Sequence, residues 1–376
     1  MMDRVRLRGL TMPLVLAATA VAFAASSPEF LSPRNLSMLS IELAVTAVLA
    51  VGMLLVIVPG QIDLSAGSGV GLIGGVAAVL VFQAGWPAPA ALLLATILAL
   101  LIWTAMGLLI ARTGIPAFIV TLGGLLVFRG LFWKAIHSST VPVTRGGQPN
   151  LYAALATSYL SPPTGLLLAG AFAAGVAILA ILRRRGRRRA GLPVEAGEVT
   201  FLKVFVASQA VLLATLVCNR YRGVPLVFLI LCGVAMAAHL LMTFHPLGRA
   251  LLAVGGNEEA ARIAGIPVER TITMAYTLMG LIVALTGFLQ TSYAGAATVS
   301  VGELMELDAV AACVIGGTSL KGGRGTVLGA LFGAAVMATL LNGMTLLAIS
   351  PEWKLMARGT VLVAAVLLDV QGSRDR

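Results

Sequence analysis

Apolar runs recur twelve times along this chain, near residues 10–27, 39–58, 64–84, 88–112, 115–135, 164–182, 201–218, 224–244, 271–291, 304–320, 326–348 and 354–370. A helix needs about 17 to 25 such residues to cross roughly 30 Å of hydrocarbon. With 59% hydrophobic and 11% charged residues, and a mean hydropathy of +0.99, the chain lies outside the range of soluble domains. The expectation is an all-α integral membrane protein. It should form one transmembrane domain over residues 1–376, a polytopic bundle of about 10–12 helices, some broken or re-entrant. The run at 64–84 is the weakest, because Gly67, Gly69, Gly71, Gly74 and Gly75 crowd it; glycine lowers helix propensity but permits close packing in lipid.

Charge then orients the bundle. A net charge of +11 in a soluble chain would point to nucleic acid, but here the excess sits largely at the ends and in loops, so no nucleic-acid partner is expected. Arg4, Arg6, Arg8, Arg112, the run Arg183 to Arg189, Arg249, Arg262, the Lys321 to Arg324 turn, Arg374 and Arg376 fall on one side of twelve crossings. That side is read as the cytoplasm, with both termini there. Arg129, Lys134, Arg145, Arg220 and Arg222 fall towards the other face and count against a perfect assignment. Arg4 to Arg8 followed by Leu10 to Ala25 also has the layout of a signal peptide; the run is read here as the first span.

Residues 151–222 hold two spans joined by the stretch Arg183 to Arg189, read as a cytoplasmic loop. An even number of crossings leaves everything downstream unchanged, so the region behaves as a two-span insertion. Its arginines serve as a topology anchor or meet acidic lipid heads. At a constant offset of 256, Gly60, Leu64, Gly67, Gly69 and Leu72 meet Gly316, Leu320, Gly323, Gly325 and Leu328, a pattern expected of two related halves around a central path.

Residues 255–267 form a polar island between apolar runs. Asn257 is a good N-cap, Glu258 and Glu259 fall in a first turn, and Arg262 in a last turn, as the helix dipole favours. Gly265 stops the helix and Pro267 opens the next. Such a helix of about 10 Å is either an ordered connector or a docking knob.

Elsewhere, Asp63 either N-caps the following helix at the membrane surface or is an intramembrane carboxylate facing a partner or water. Glu303, Glu306 and Asp308 cap the next helix, meet arginines of a partner, or line an entrance. They do not have the facing geometry of a glycosidase pair, since Glu303 and Glu306 are neighbours on one helix face. Glu42 and Asn342 lie deep in spans, where they can offer hydrogen bonds to hydroxyls. Cys218, Cys232 and Cys313 lack metal-like spacing and are read as packing residues. His137, His239 and His245 have neither metal spacing nor a nucleophile partner. No Gly-Lys pair exists, so the chain cannot build a P-loop phosphate cradle.

The segment Glu259-Ala260-Ala261 with Gly265 four residues on resembles the EAA-type coupling segment of ABC-importer permeases. Gly255-Gly256-Asn257 leading into Ala260-Ala261-Arg262 and Gly265-Ile266 is similar to the version in the ribose and xylose permease family. Gly60-x-x-Asp63-Leu64-Ser65 resembles that family's Gly-Ile-Asp-Leu-Ser signature, with Gln61 as an extra residue. Pro116 to Gly123, Phe128-Arg129-Gly130 and Leu307 to Leu320 extend the resemblance over nearly the whole chain. The insertion with Tyr221-Arg222-Gly223-Val224-Pro225 looks like that of D-xylose permease subunits.

This resemblance implies a permease, not an enzyme, in a bacterial cytoplasmic (inner) membrane. It implies a homodimer with a second permease copy, a cytoplasmic ABC ATPase subunit that carries ATP and Mg, and an extracytoplasmic sugar-binding protein. The chain itself would hold no cofactor and no metal. Asn257, Glu258, Glu259, Ala260, Ala261, Arg262 and Gly265 would couple to the ATPase. Glu42, Gln61, Asp63, Ser65, Phe118, Thr121 and Asn342 would line the sugar path. The rival reading is an ion-coupled secondary sugar transporter with Asp63 and Glu42 as coupling carboxylates.

Overall fold

The computed structural model describes the backbone of residues 2–374 and the side chains of residues 12–367. The basic markers Arg4, Arg6, Arg8, Arg374 and Arg376 lie outside the described side chains. Fifteen α-helices follow one another among the described residues: α1 (Met2–Ser26), α2 (Pro33–Ile57), α3 (Ala66–Phe82), α4 (Ala88–Thr113), α5 (Ala117–Ala135), α6 (Leu151–Thr157), α7 (Pro162–Arg189), α8 (Gly197–Asn219), α9 (Leu226–Phe244), α10 (Pro246–Gly256), α11 (Glu258–Ile263), α12 (Val268–Ala294), α13 (Met305–Ile315), α14 (Val327–Leu346) and α15 (Pro351–Arg374). Eight of them, α2, α4, α5, α7, α8, α9, α12 and α14, are long and apolar enough to cross a membrane. Together with α1, α3, α13 and α15 they give one helix to each of the twelve apolar runs.

The caps follow local sequence rules. Pro33 opens α2 behind Ser32, whose hydroxyl accepts the Asn35 amide at 3.2 Å. Gly114 and Gly295, both left-handed, close α4 and α12. The run at 304–320 departs from expectation. Only eleven residues of it are helical, about 16 Å at 1.5 Å per residue, too short to cross. The chain ahead of it enters from a two-residue ladder, β1 (Val141–Pro142) against β2 (Ala296–Ala297), and a glycine-rich stretch at 316–326 follows it.

Helices α2, α3, α12 and α14 form the centre. In lipid the water-driven term between helices is missing, so close packing must hold them together. Gly74 supplies it at one crossing, where a Cβ would strike the carbonyl of Gly287 and the hydroxyl of Thr291. Thus α3 is a full helix of 17 residues despite its glycines. By contrast α7 and α8 pack mainly on each other and expose most of their apolar side chains. Their hairpin closes at its base. Leu160 N–H donates to Val224 O at 2.9 Å, and Leu226 N–H to Ser158 O at 3.0 Å, so the chain enters and leaves at one point. Residues 151–157 lie outside the hairpin, as α6, with Tyr152 and Ala156 buried in the core.

The arginine stretch is a second correction. Arg183 to Arg189 are not a loop but the last turns of α7, where cations meet the negative end of the helix dipole. The turn itself comes after, at 190–196. The offset-256 repeat also shifts. Gly60 and Gly317 occupy equivalent places, since both have φ 85 and both close a helix with the same paired hydrogen bonds: Gly60 N–H to Ile57 O with Gln61 N–H to Val56 O, and Gly317 N–H to Val314 O with Thr318 N–H to Cys313 O. The equivalence is therefore offset by 257, and Gly67 and Gly69, inside α3, do not correspond to Gly323 and Gly325 in a loop.

Candidate functional site

Helix α11 is capped at both ends. Asn257 Oδ1 accepts the Ala260 amide at 2.9 Å, and Arg262 reaches back to Glu258 at 3.1 Å across one turn. Gly265, at φ 80, ends it with the bonds Gly265 N–H to Arg262 O and Ile266 N–H to Ala261 O. Ala261 is buried and pins the helix, whereas Asn257, Glu258, Glu259, Ala260, Arg262 and Gly265 are exposed. Beside them stands Ile263, 82% exposed, an apolar side chain whose exposure its place in a short helix does not announce. Helix α10 supplies the base, capped by His245, whose Nδ1 accepts the Leu247 amide at 3.1 Å.

The end of α10 touches both interruptions of the core. A Cβ on Gly255 would collide with the Val58 carbonyl oxygen, and that same oxygen accepts the Gly323 amide at 2.8 Å. A Cβ on Gly322 would lie 2.9 Å from both the Gly255 Cα and the Gly60 nitrogen. Three glycine-bearing stretches, at 60, 255–256 and 322–323, therefore meet backbone to backbone. The end of α10, which leads into α11, thus touches both the turn that follows α2 and the loop between α13 and α14.

Asp63 lies in the first of these turns and is completely buried. Its Oδ1 accepts Ser65 N–H at 2.8 Å and Ser65 Oγ–H at 2.6 Å, and its Oδ2 accepts the Trp103 indole N–H at 2.7 Å. The carboxylate thus orders the start of α3 and ties it to α4, deep in the bundle rather than at its surface. Thr121 joins from α5, its hydroxyl oxygen 3.2 Å from Ile62 O and 2.9 Å from Ala117 O, to which it donates. Gln61 is half-buried beside them, while Phe118 stands on the outer face of α5, exposed.

Glu42 and Asn342 do meet, in a separate network. Glu42 Oε2 accepts from Asn342 Nδ2 at 3.2 Å and Oε1 from the Tyr293 hydroxyl at 3.1 Å. Asn342 Oδ1 in turn accepts from Asn35 Nδ2 at 3.0 Å. Glu42 precedes Ile57 by fifteen positions along α2, about 22 Å at 1.5 Å per residue, so the path residues named from sequence form two clusters. Asn35 and Tyr293 carried no sequence signal, since their partners lie about 250 to 300 positions away.

Glu303 precedes α13 and Glu306 and Asp308 fall in its first turn, and the three separate in the fold. Glu303 pairs with Arg129 at 3.0 Å, both partly exposed, and Arg129 also lies over the Trp133 ring at 5.3 Å. Asp308 pairs with Arg358 of α15 at 3.1 Å, largely buried. Both find arginines of this same chain. Glu306 is buried as well, with its carboxylate over Gly67.

A bundle of broken and whole membrane helices, with polar groups paired inside and a capped polar helix projecting outside, defines a polytopic helical membrane protein. The family of the Branched-chain amino acid transport system / permease component matches residues 35–366, and the chain belongs to that family. The xylose transport system permease protein XylH of Escherichia coli (strain K12) is 40% identical over 341 residues, covering 90% of this chain and 86% of that protein. The protein of the same name from Haemophilus influenzae is 36% identical over 363 residues, covering 96% of each. The ribose import permease protein RbsC of Bacillus subtilis (strain 168) is 34% identical over 343 residues, covering 91% and 87%. No solved structure shows a significant match to the chain.

Proposed function

We propose that this permease imports D-xylose or a related pentose across a bacterial cytoplasmic membrane, driven by a separate ATPase subunit that binds ATP and Mg. The observation that carries the substrate is the identity to two xylose permeases over at least nine-tenths of this chain. An extracytoplasmic binding protein would deliver the sugar, and a second copy of the permease would complete the path. Exposed apolar side chains on α5, such as Leu122 and Leu126, are available to lipid or to that second copy.

Helix α11 is the ATPase contact in this reading. Its rigid caps, its exposed Glu259 and the bare Ile263 suit a knob seated in a protein cleft. Closure of the ATPase around ATP would move the knob, and the Gly255 joint would pass the movement to the breaks after α2 and α13, switching access between the two faces. Arg112, Arg249, Arg262 and Arg324 belong to the face that bears α11, which favours the cytoplasm for that face and for both termini.

The test is uptake into proteoliposomes containing the permease, its ATPase and the binding protein. D-xylose should accumulate only with ATP inside the face bearing α11, and dissipating sodium and proton gradients should leave the rate unchanged. Uptake that follows an ion gradient without ATP would replace this reading with the secondary carrier.

A further inference from the structure

Between α3, α5 and the chain at 299–306 lies a cavity of about 180 Å³. At about 30 Å³ per water in the liquid, it has room for roughly six waters or a guest of monosaccharide size. Its walls bring together Ser68, Arg129, Phe132, Glu303 and Glu306. Arg129 stands twelve positions past Ala117, about 18 Å along α5, so the cavity lies well away from the α11 end of the bundle.

Glu306 makes this cavity unlike the rest of the interior. It is 6% exposed. Among the described residues no group of another residue hydrogen-bonds to its carboxylate, whereas Glu303 and Asp308 each hold an arginine. A largely buried acid whose carboxylate meets no donor from another residue is costly in a membrane bundle and marks a place where something polar comes and goes. Gly67 leaves the room for it, because any side chain there would strike Glu306 Oε2. The Ser68 hydroxyl donates to Ser65 O at 2.9 Å and keeps its lone pairs for an incoming donor. Arg129, with one arm on Glu303, supplies further N–H donors, and Phe132 offers an aromatic wall.

Acceptor, donor, hydroxyl and aromatic wall in one small cavity are the set that a neutral polyol requires. We propose that this cavity is a monosaccharide-contacting site within the permease, with Glu306 accepting sugar hydroxyls and the Arg129–Glu303 pair at its mouth. The proposal rests on the reading of the chain as a sugar permease and adds the residues that would touch the sugar. The binding protein would select the sugar first, and this cavity would give it a weak intermediate stop.

The direct test is a titration of the purified full-length permease with D-xylose, D-ribose and sodium chloride. The readout is the fluorescence contributed by Trp133, obtained by difference from Trp133→Phe. Wild type should show a saturable response to a pentose and none to sodium. Loss of a hydrogen bond to a charged group is worth about 1.5–3 kcal/mol, so Glu306→Ala, which removes the acceptor, should weaken the response by about ten- to a hundredfold. In the reconstituted complex the same variant should lose uptake by at least about tenfold while still co-purifying with the ATPase. If Glu306→Ala does not assemble, Ser68→Leu, which fills the cavity, should block the response and the uptake. Wild-type uptake in Glu306→Ala or Ser68→Leu, or a response to sodium in place of sugar, would overturn the proposal. Ion-driven uptake with the sugar response intact would instead overturn the ATP-driven reading and leave this site standing.

Discussion

Asp63 and Glu259 are both acidic residues at interruptions between membrane helices, yet the fold treats them in opposite ways. Asp63 is sealed inside, and three donors from Ser65 and Trp103 meet its two oxygens. Glu259 stands on the surface of a capped helix beside an isoleucine that nothing covers. A polar group buried among membrane helices must be satisfied within the protein, so it becomes part of the frame. One outside the membrane needs no internal partner and can stay in solvent. The two are joined through the glycines at 60, 255 and 322, where backbone meets backbone.

This contrast gives graded predictions. Asp63→Ala leaves the Trp103 indole and the Ser65 donors unpaired, and at about 1–3 kcal/mol for each buried unsatisfied group it should cost roughly 3 kcal/mol or more. A thermal melt in mild detergent should show the loss; an unchanged melting temperature would mean that Asp63 is not a structural tie. Gly255→Val attacks the joint, where overpacking costs about 1–3 kcal/mol. Its expected signature is ATP hydrolysis that persists while uptake fails, and normal uptake would remove the joint from the mechanism. Asn257→Ala removes one cap bond, worth about 1 kcal/mol. Hydrogen exchange should speed up in α11 alone, and a change spread over the core would contradict the local role.

Much of this was legible in the sequence for a physical reason. Long apolar runs and helix caps are local signals, so α4, α5 and α12 lie close to their expected bounds, and Asn257 and Gly265 end α11 as their residue types require. The break after Ile315 was hidden inside an apolar run, since Gly316 and Gly317 weigh little in hydropathy but a great deal in backbone geometry. The arginines of α7 read as a loop by charge, although a helix extending beyond the apolar stretch carries them readily. Least legible were the long-range pairs. Trp103 with Asp63, Arg129 with Glu303 and Arg358 with Asp308 are separated by 40 positions or more, and nothing in the spacing announces them. They decide which acids are structural and leave Glu306 as the exception.

Docking of an ATPase on α11 is the step from which the proposed import mechanism starts, and affinity purification from native membranes tests it most directly. Wild type in mild detergent should bring a P-loop ATPase with it. Glu259→Arg should lose that subunit while melting within about 1 kcal/mol of wild type, because an exposed change near a helix N-terminus costs little. An ATPase retained by Glu259→Arg and by Ile263→Asp, or none recovered with the wild type, would contradict the coupling role of α11.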